Sequence, residues 1–231
     1  IQQIENAGVP VVAVSLREDA AGEKNKMNPT MADEETAYNN GLKQGIRLIG
    51  EVVDRKAQAE DLIRYTFDAR AKFNAPVANI PADQRVRVYM ANPDLNTYGS
   101  GKYTGLMMEH AGAMNVAAAT VKGAKQVSLE QVLQWDPQVI FVQDRYPEVV
   151  KAILTDPNWQ QIDAVKNHRV WLMPEYAKAW GYPMPEALAI GELWMAKKLY
   201  PEQYNNIDVE AQAQAYYKRF YRTDWKPDAR Q

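Results

Sequence analysis

The sequence has 231 residues, 46% hydrophobic and 24% charged, an apolar share large enough to fill a sizeable core and to exclude general disorder. A net charge of −2 gives no field to attract polyanions, so bulk nucleic-acid binding is excluded. The lack of cysteine excludes disulfides, thiolate zinc sites, iron–sulfur clusters and a cysteine nucleophile.

Ile1, Ile4, Ala7 and Gly8 read as the end of a helix. Residues 9–14, Val-Pro-Val-Val-Ala-Val, form an apolar run expected to be a buried strand of a sheet covered on both faces. The chain is thus expected to start inside a domain, with any targeting segment before it. The polar stretch 16–33 contains Gly22, Asn28 and Pro29 and is long for a loop in a compact domain. Arg17, Lys24 and Lys26 stand there beside Glu18, Asp19 and Glu23, and read as a solvated loop. From 34 to 73 the pattern is helical. Leu42, Ile46 and Ile49 make one stripe ending near Gly50; Ala59, Leu62, Ile63, Thr66 and Phe67 continue at three- and four-residue spacing. The span 55–74 predicts one helix of about 30 Å, at roughly 1.5 Å per residue, long enough to join two lobes.

Pro76 and Pro81 punctuate the chain, and strand character resumes at 86–90. A helix is predicted over 103–114. Another starts after Ser128, whose hydroxyl suits an N-cap, with Glu130 and Gln131 in its first turn. Trp135, Asp136 and Pro137 stop it, and a buried strand follows at 139–142. A short helix at 147–154, a strand at 170–173, a strong helix at 185–199 and a polar helix at 209–221 complete the series. Leu188, Leu193, Trp194 and Ala196 mark the apolar side of the helix at 185–199. This alternation predicts an α/β fold with mostly parallel sheets flanked by helices.

Gly99-Ser100-Gly101-Lys102-Tyr103-Thr104 lies between a strand and a helix, where a phosphate-binding loop would stand. It fails the nucleotide pattern: Asn96 replaces the first glycine, and Tyr103 replaces the hydroxyl residue that would hold magnesium. A Gly-rich turn before a helix still presents amides suited to an anionic or strongly polar ligand. An α/β enzyme holding a phosphorylated substrate at 99–102 therefore stays open as an alternative. His110 and His168 are far apart without ligand-spaced partners, so no bare metal site is expected. A serine-hydrolase elbow is missing. Tyrosine is the unusual component, 13 against 4 Phe. Tyr98, Tyr103, Tyr146, Tyr176, Trp180 and Tyr182 fall just after predicted strands or in their loops, where open α/β sheets bind ligands. Arg145 follows the strand at 139–142. Its planar fork suits a carboxylate, catecholate or oxyanion, or else a surface pair with Asp144 or Glu148. The run 180–185, Trp-Gly-Tyr-Pro-Met-Pro, fits neither helix nor central strand, so its aromatics pack inward or line a cleft.

Gln126-Val127-Ser128-Leu129-Glu130-Gln131 and its continuation to Val142 resemble a segment in the C-terminal lobe of class III substrate-binding proteins. These serve ABC importers of ferric siderophores, haem and cobalamin. Gly112-Ala113-Met114-Asn115-Val116-Ala117, the stretch from Trp159 to Val170, and Gly8-Val9-Pro10-Val11-Val12 are similar to further motifs of that family, in the same order. Ala113 and Gln138 depart from its usual Gly and Asp. The resemblance implies two α/β lobes joined by one long helix, with the N-terminal lobe incomplete in this chain. Its last part would occupy 1–54, the interlobe helix and linker 55–80, and the C-terminal lobe 81–231. It implies a periplasmic or otherwise extracytoplasmic protein, free or lipid-anchored, monomeric, without catalysis, cofactor or nucleic acid. Such a protein would capture a ferric siderophore or similar metal chelate in the interlobe cleft and deliver it to the permease. Expected ligand contacts are Tyr98, Ser100, Tyr103, Arg145, Tyr146, Tyr176, Trp180 and Tyr182. Glu130 matches a position that docks on the permease. The alternative within the family is a molybdate or tungstate receptor, of which residues 174–182 are reminiscent. That reading centres on Arg145, the amides around Ser100 and the Tyr98 hydroxyl; the chelate reading leans on Trp180 and Tyr182. A domain closing on a partner protein is the remaining alternative.

Overall fold

A computed structural model describes residues 2–19, 31–178 and 180–227. After a short helix α1 (Gln2–Asn6), residues 9–14 do not join a sheet. This corrects the buried strand expected there: Val9, Val12 and Val14 are exposed, and no described strand lies alongside to form a ladder. Residues 14–18 lie instead along α2 (Glu34–Val52), which Asp33 caps by accepting from the Thr36 amide at 3.0 Å. Ala37, Gly41 and Gly45 recur every fourth residue, so they share one helix face and leave it smooth. The approach is close: a Cβ on Gly41 would stand 2.2 Å from the Arg17 nitrogen, and one on Gly45 2.9 Å from a Val14 methyl. The Glu18 amide donates to the Ala37 carbonyl at 2.8 Å, tying the segment down. Residues 20–30 of the expected loop, with Lys24 and Lys26, lie outside the described residues.

Asp54, at φ 53°, turns the chain into α3 (Lys56–Asn74), the long helix that the spacing predicts. It buries Ala59, Ile63, Thr66 and Phe73 and packs against α2 and residues 187–199. The outer end of the α2 stripe stays uncovered among the described residues, leaving Ile49, Val52 and Val53 exposed.

The remaining chain alternates: β1 (Val86–Ala91), β2 (Asn96–Tyr98), α4 (Tyr103–His110), β3 (Ala113–Asn115), β4 (Ala124–Gln126), α5 (Leu129–Trp135), β5 (Val139–Val142), α6 (Pro147–Thr155), α7 (Asp163–Lys166) and β6 (Val170–Leu172). Four of these strands form a parallel sheet in the order β3-β1-β5-β6, so the fold is α/β. Every residue of β5 is buried, as a strand covered on both faces requires. Ser128 caps α5 as expected, accepting from the Gln131 amide at 3.2 Å. The predicted helix over 103–114 ends at His110. Gly112, at φ 83°, turns the chain, and residues 113–115 become the edge strand β3. Strands β2 and β4 pair antiparallel outside the main sheet; β4 is fully exposed and carries no apolar pattern to announce it. The helix predicted at 185–199 begins with a π-helical stretch, Ala187–Gly191, and continues as α8 (Glu192–Leu199). The last helix, α9 (Val209–Tyr216), runs on into a π-helical turn, Tyr217–Tyr221. No described helix is long and apolar enough to cross a membrane.

Gly41→Ala should lift residues 15–18 off α2. Hydrogen exchange would show this as lost protection of the Glu18 amide while the Phe141 amide keeps its own; unchanged protection at Glu18 would mean that the segment is held by something other than this close approach.

Candidate functional site

Two basic side chains are buried together at the junction of residues 14–18, α2 and the turn before α4. Arg17 is 5% exposed and Lys102 6%. Both stand over the ring of Tyr182, Arg17 Cζ 6.0 Å and Lys102 Nζ 5.6 Å from its centroid. Burial, then the nearby Arg17 charge, pushes the Lys102 ammonium below its ordinary value. Arg17 also pairs with Asp19, whose hydrogen bond raises the guanidinium above its ordinary value. Tyr38 closes the floor. Its hydroxyl donates to the Gly101 carbonyl at 3.1 Å, its ring meets Tyr182 edge-on at 6.4 Å, and burial pushes its pKa up to about 12. Gly181, at φ 84°, lies beside the Lys102 stem and the Tyr98 ring, which a Cβ there would meet at 3.5 and 3.7 Å, ordinary contact distances.

The Gly-rich turn does not offer the amides expected of it. Gly99 donates to Gly123 O at 2.9 Å, Ser100 to Val121 O at 3.0 Å, Gly101 to Glu34 Oε2 at 3.0 Å and Tyr103 to Gly181 O at 3.2 Å. Positive charge in this turn comes from the Lys102 side chain. Ser100 is exposed, its hydroxyl donating to Val121 O at 3.4 Å.

The other nominated residues separate. Tyr103 and Tyr176 are core residues, 1% and 2% exposed, Tyr103 donating its hydroxyl to Glu192 at 2.7 Å and Tyr176 packing on Trp225 at 5.6 Å. Burial removes both from the set open to solvent. Tyr98 is half-buried beside Lys102, and Tyr182 is 39% exposed. Arg145 is exposed and lies on Trp180, with Cζ 3.8 Å from the ring centroid; Tyr146 is at 5.9 Å from it, and Lys178 Nζ is 5.5 Å from Trp180. Asp144, between them, is pushed above its ordinary value by burial although Arg145 and Lys178 pull it down. Glu130 is exposed in the first turn of α5, away from this group. Sequence reasoning passed over Tyr38 and read Arg17 as solvated. The available signal was the Ala37, Gly41, Gly45 spacing, which marks where another segment lies against the helix.

Behind the cations a chain of charges runs inward from half-exposed Glu35 to fully buried Glu192. His110 Nδ1 is 2.9 Å from Glu192 Oε1, and its Nε2 is hydrogen-bonded to Glu35. Arg70 of α3 donates to Glu35 at 2.9 Å and to Asn39 at 3.0 Å, and Asn74 donates to the other oxygen of Glu192 at 2.5 Å. Burial pulls the His110 pKa down, but the two carboxylates outweigh it and hold it at about 9. Burial likewise raises Glu35, yet His110 and Arg70 bring it down to about 2. With both ring nitrogens engaged, this trio is a hydrogen-bonded brace. Among the described residues no group of three or more His, Cys, Asp or Glu side chains is arranged to hold a metal ion.

The sequence profile described as "Periplasmic binding protein" matches residues 2–177. The chain belongs to the periplasmic binding protein family. It is 60% identical over 228 residues to the molybdate-binding protein MolA of Haemophilus influenzae, covering 99% of this chain and 65% of that protein. The solved structure of that MolA bound to molybdate superposes with a TM-score of 0.93 at 60% identity, over 98% of this chain and 70% of the other. The haem uptake protein IsdE of Staphylococcus aureus is 25% identical over 142 residues, 58% of this chain and 49% of that protein. This chain therefore spans about two thirds of its molybdate-binding relative.

The brace carries a pH signature. The imidazole holds its proton to about pH 9 in the folded chain, against 6.5 for a free one, so its contribution to stability is full below 6.5 and is lost as the pH rises through 9. The gap in melting temperature between the protein and His110→Gln should narrow from about pH 7 to about pH 10 by circular dichroism. A gap constant over that range would show that the imidazole carries no charge here.

Proposed function

We propose that this protein is the periplasmic substrate-binding component of an ABC importer and that its ligand is a metal oxyanion of the molybdate class, held at Arg17, Lys102 and Tyr182. The observation that carries the reading is the burial of two cations at the ring of one tyrosine. Lys102 already feels desolvation and the Arg17 charge, and the attraction of an anion seated beside both would offset both costs. The 60% identity to a protein named for molybdate binding supports the same ligand class. The ferric-chelate reading has less support: Trp180, on whose open ring it leans, already carries Arg145 at 3.8 Å. The phosphorylated-substrate reading loses its amides to Gly123, Val121, Glu34 and Gly181.

In this reading α3 is the helix between two lobes, residues 1–54 belong to the first and 81–231 to the second, and the ligand sits between them. Tyr98, Ser100 and Tyr182 rim the site, while Arg145, Tyr146 and Trp180 form its outer wall. Glu130 faces the permease from the exposed start of α5.

Titration of the protein with molybdate by calorimetry should give one site per chain. Lys102→Met should weaken binding at least tenfold, about 1.4 kcal/mol, and added salt should weaken it further. Arg145→Ala should cost less than Lys102→Met. Saturation by a ferric siderophore with molybdate silent would overturn the assignment.

A further inference from the structure

The first turn of α2 reaches the anion site and the buried brace at once. Glu34 accepts the Gly101 amide at 3.0 Å. Glu35, the next residue, accepts from Arg70 and meets the His110 ring. Tyr38, one turn on, donates to the Gly101 carbonyl at 3.1 Å. Both polar groups of the Gly101 peptide are thus held by α2, and the next residue is Lys102. Gly101 sits at φ 81°, so the turn is set in a conformation that other residues rarely adopt. His110 lies on α4, whose start carries Lys102, and it ties that helix both to α2 through Glu35 and to α8 through Glu192. Tyr103, beside Lys102 in sequence, gives its hydroxyl to the same Glu192 oxygen that His110 meets.

From this geometry we infer that His110 is a positioning residue for the anion site: by bridging Glu35 and Glu192 it fixes the first turn of α2 against α4 and so sets where Lys102 and the Gly101 turn stand. The inference rests on the anion-binding reading above. The groups facing the ring are Glu35 from α2, Tyr103 and Glu109 from α4, and Glu192 from α8, while Arg70 and Asn74 from α3 hold the two partner carboxylates. Glu34 completes the acidic turn beside them. The ring is the cation between Glu35 and Glu192, and a neutral side chain can bridge them only by giving up one hydrogen bond or one charge attraction.

The test uses the protein, Lys102→Met, His110→Gln and Glu35→Gln, with molybdate as the probe. His110→Gln and Glu35→Gln should each bind molybdate about fivefold or more weakly, the scale of a coupling between distinct sites. Glu35 is partly exposed, so its amide variant keeps the test open should His110→Gln fail to fold. Two readouts separate positioning from general destabilisation. Hydrogen exchange at the Gly101 amide should quicken in both variants while Val88 and Phe141 in the sheet keep their protection. The affinity difference between the protein and His110→Gln should hold steady from about pH 6 to 8 and shrink above about 9, where both lack the charge; titration of Lys102 is common to both and cancels. If the protein itself does not bind molybdate, or Lys102→Met leaves binding unchanged, the anion site is wrong. If Lys102→Met abolishes binding while His110→Gln and Glu35→Gln bind as tightly as the parent, the site stands and the positioning role of His110 is overturned.

Discussion

Glu192 has no surface open to solvent, and a charge buried without partners would cost several kcal/mol. The chain supplies partners from two neighbouring helices: the Tyr103 hydroxyl and the His110 ring from α4, the Asn74 amide from α3, and Arg70, also from α3, by its charge. Tyr103 and His110 share one oxygen of Glu192, and withdrawing Asn74 would take from the other its hydrogen bond in the interior. The helices are otherwise joined by apolar packing, which tolerates sliding; the carboxylate fixes their offset. The π-helical stretch before α8 fits this constraint. It brings Gly191 close beneath Ala177, where a Cβ would stand 2.8 Å from the Ala177 Cα, and presents Glu192 inward.

The acidic start of α2 transmits that order outward. Acids in a first turn usually do no more than complement the helix dipole. Here each has a separate role, since Asp33 caps the helix, Glu34 takes the Gly101 amide and Glu35 takes His110. A helix end, a charge chain that runs into the interior and the turn at 99–102 are thereby one mechanical unit. Arg17 enters the unit from the other side, across the smooth face made by Ala37, Gly41 and Gly45.

The fold was largely legible because its signals are local. Ser128 as a cap, the apolar run of β5 and the long α3 pattern need only their own neighbours to be read. Residues 9–14 have the same apolar signature as β5 and yet form no strand, because a strand is a property of a pair and the described chain gives it no partner. Strands β2 and β4 failed for the opposite reason: their pairing is by backbone, and the exposed side chains of β4 carry no pattern. The site was legible only in half. Tyr98, Arg145, Trp180 and Tyr182 announce themselves by type and by position in loops. Arg17 and Tyr38 acquire meaning only when residues 14–18 cross α2, a contact whose one trace in the sequence is the four-residue spacing of Ala37, Gly41 and Gly45.

The turn at 99–102 shows why a motif and its chemistry can separate. A glycine-rich turn before a helix binds phosphate through amides whose positions the backbone fixes. Here the same geometry survives, but every backbone donor from Gly99, Ser100, Gly101 and Tyr103 is spent inside the protein. The turn has become a rigid mount for one side chain, Lys102, which meets Arg17 over the Tyr182 ring. A cradle of amides selects a ligand by shape. A pair of buried cations on an aromatic plate selects first by charge, because a dianion offsets their repulsion and desolvation by attraction, adding to what Asp19 gives Arg17, while an uncharged guest does not. Aromatic richness near strand ends thus points toward a flat chelate when read from composition alone. In the folded chain the exposed rings of Trp180 and Tyr182 are already faced by cations, Arg145 on Trp180 and the Arg17 and Lys102 pair on Tyr182. In the proposed reading, the same residues that suggest a chelate pocket back an anion site.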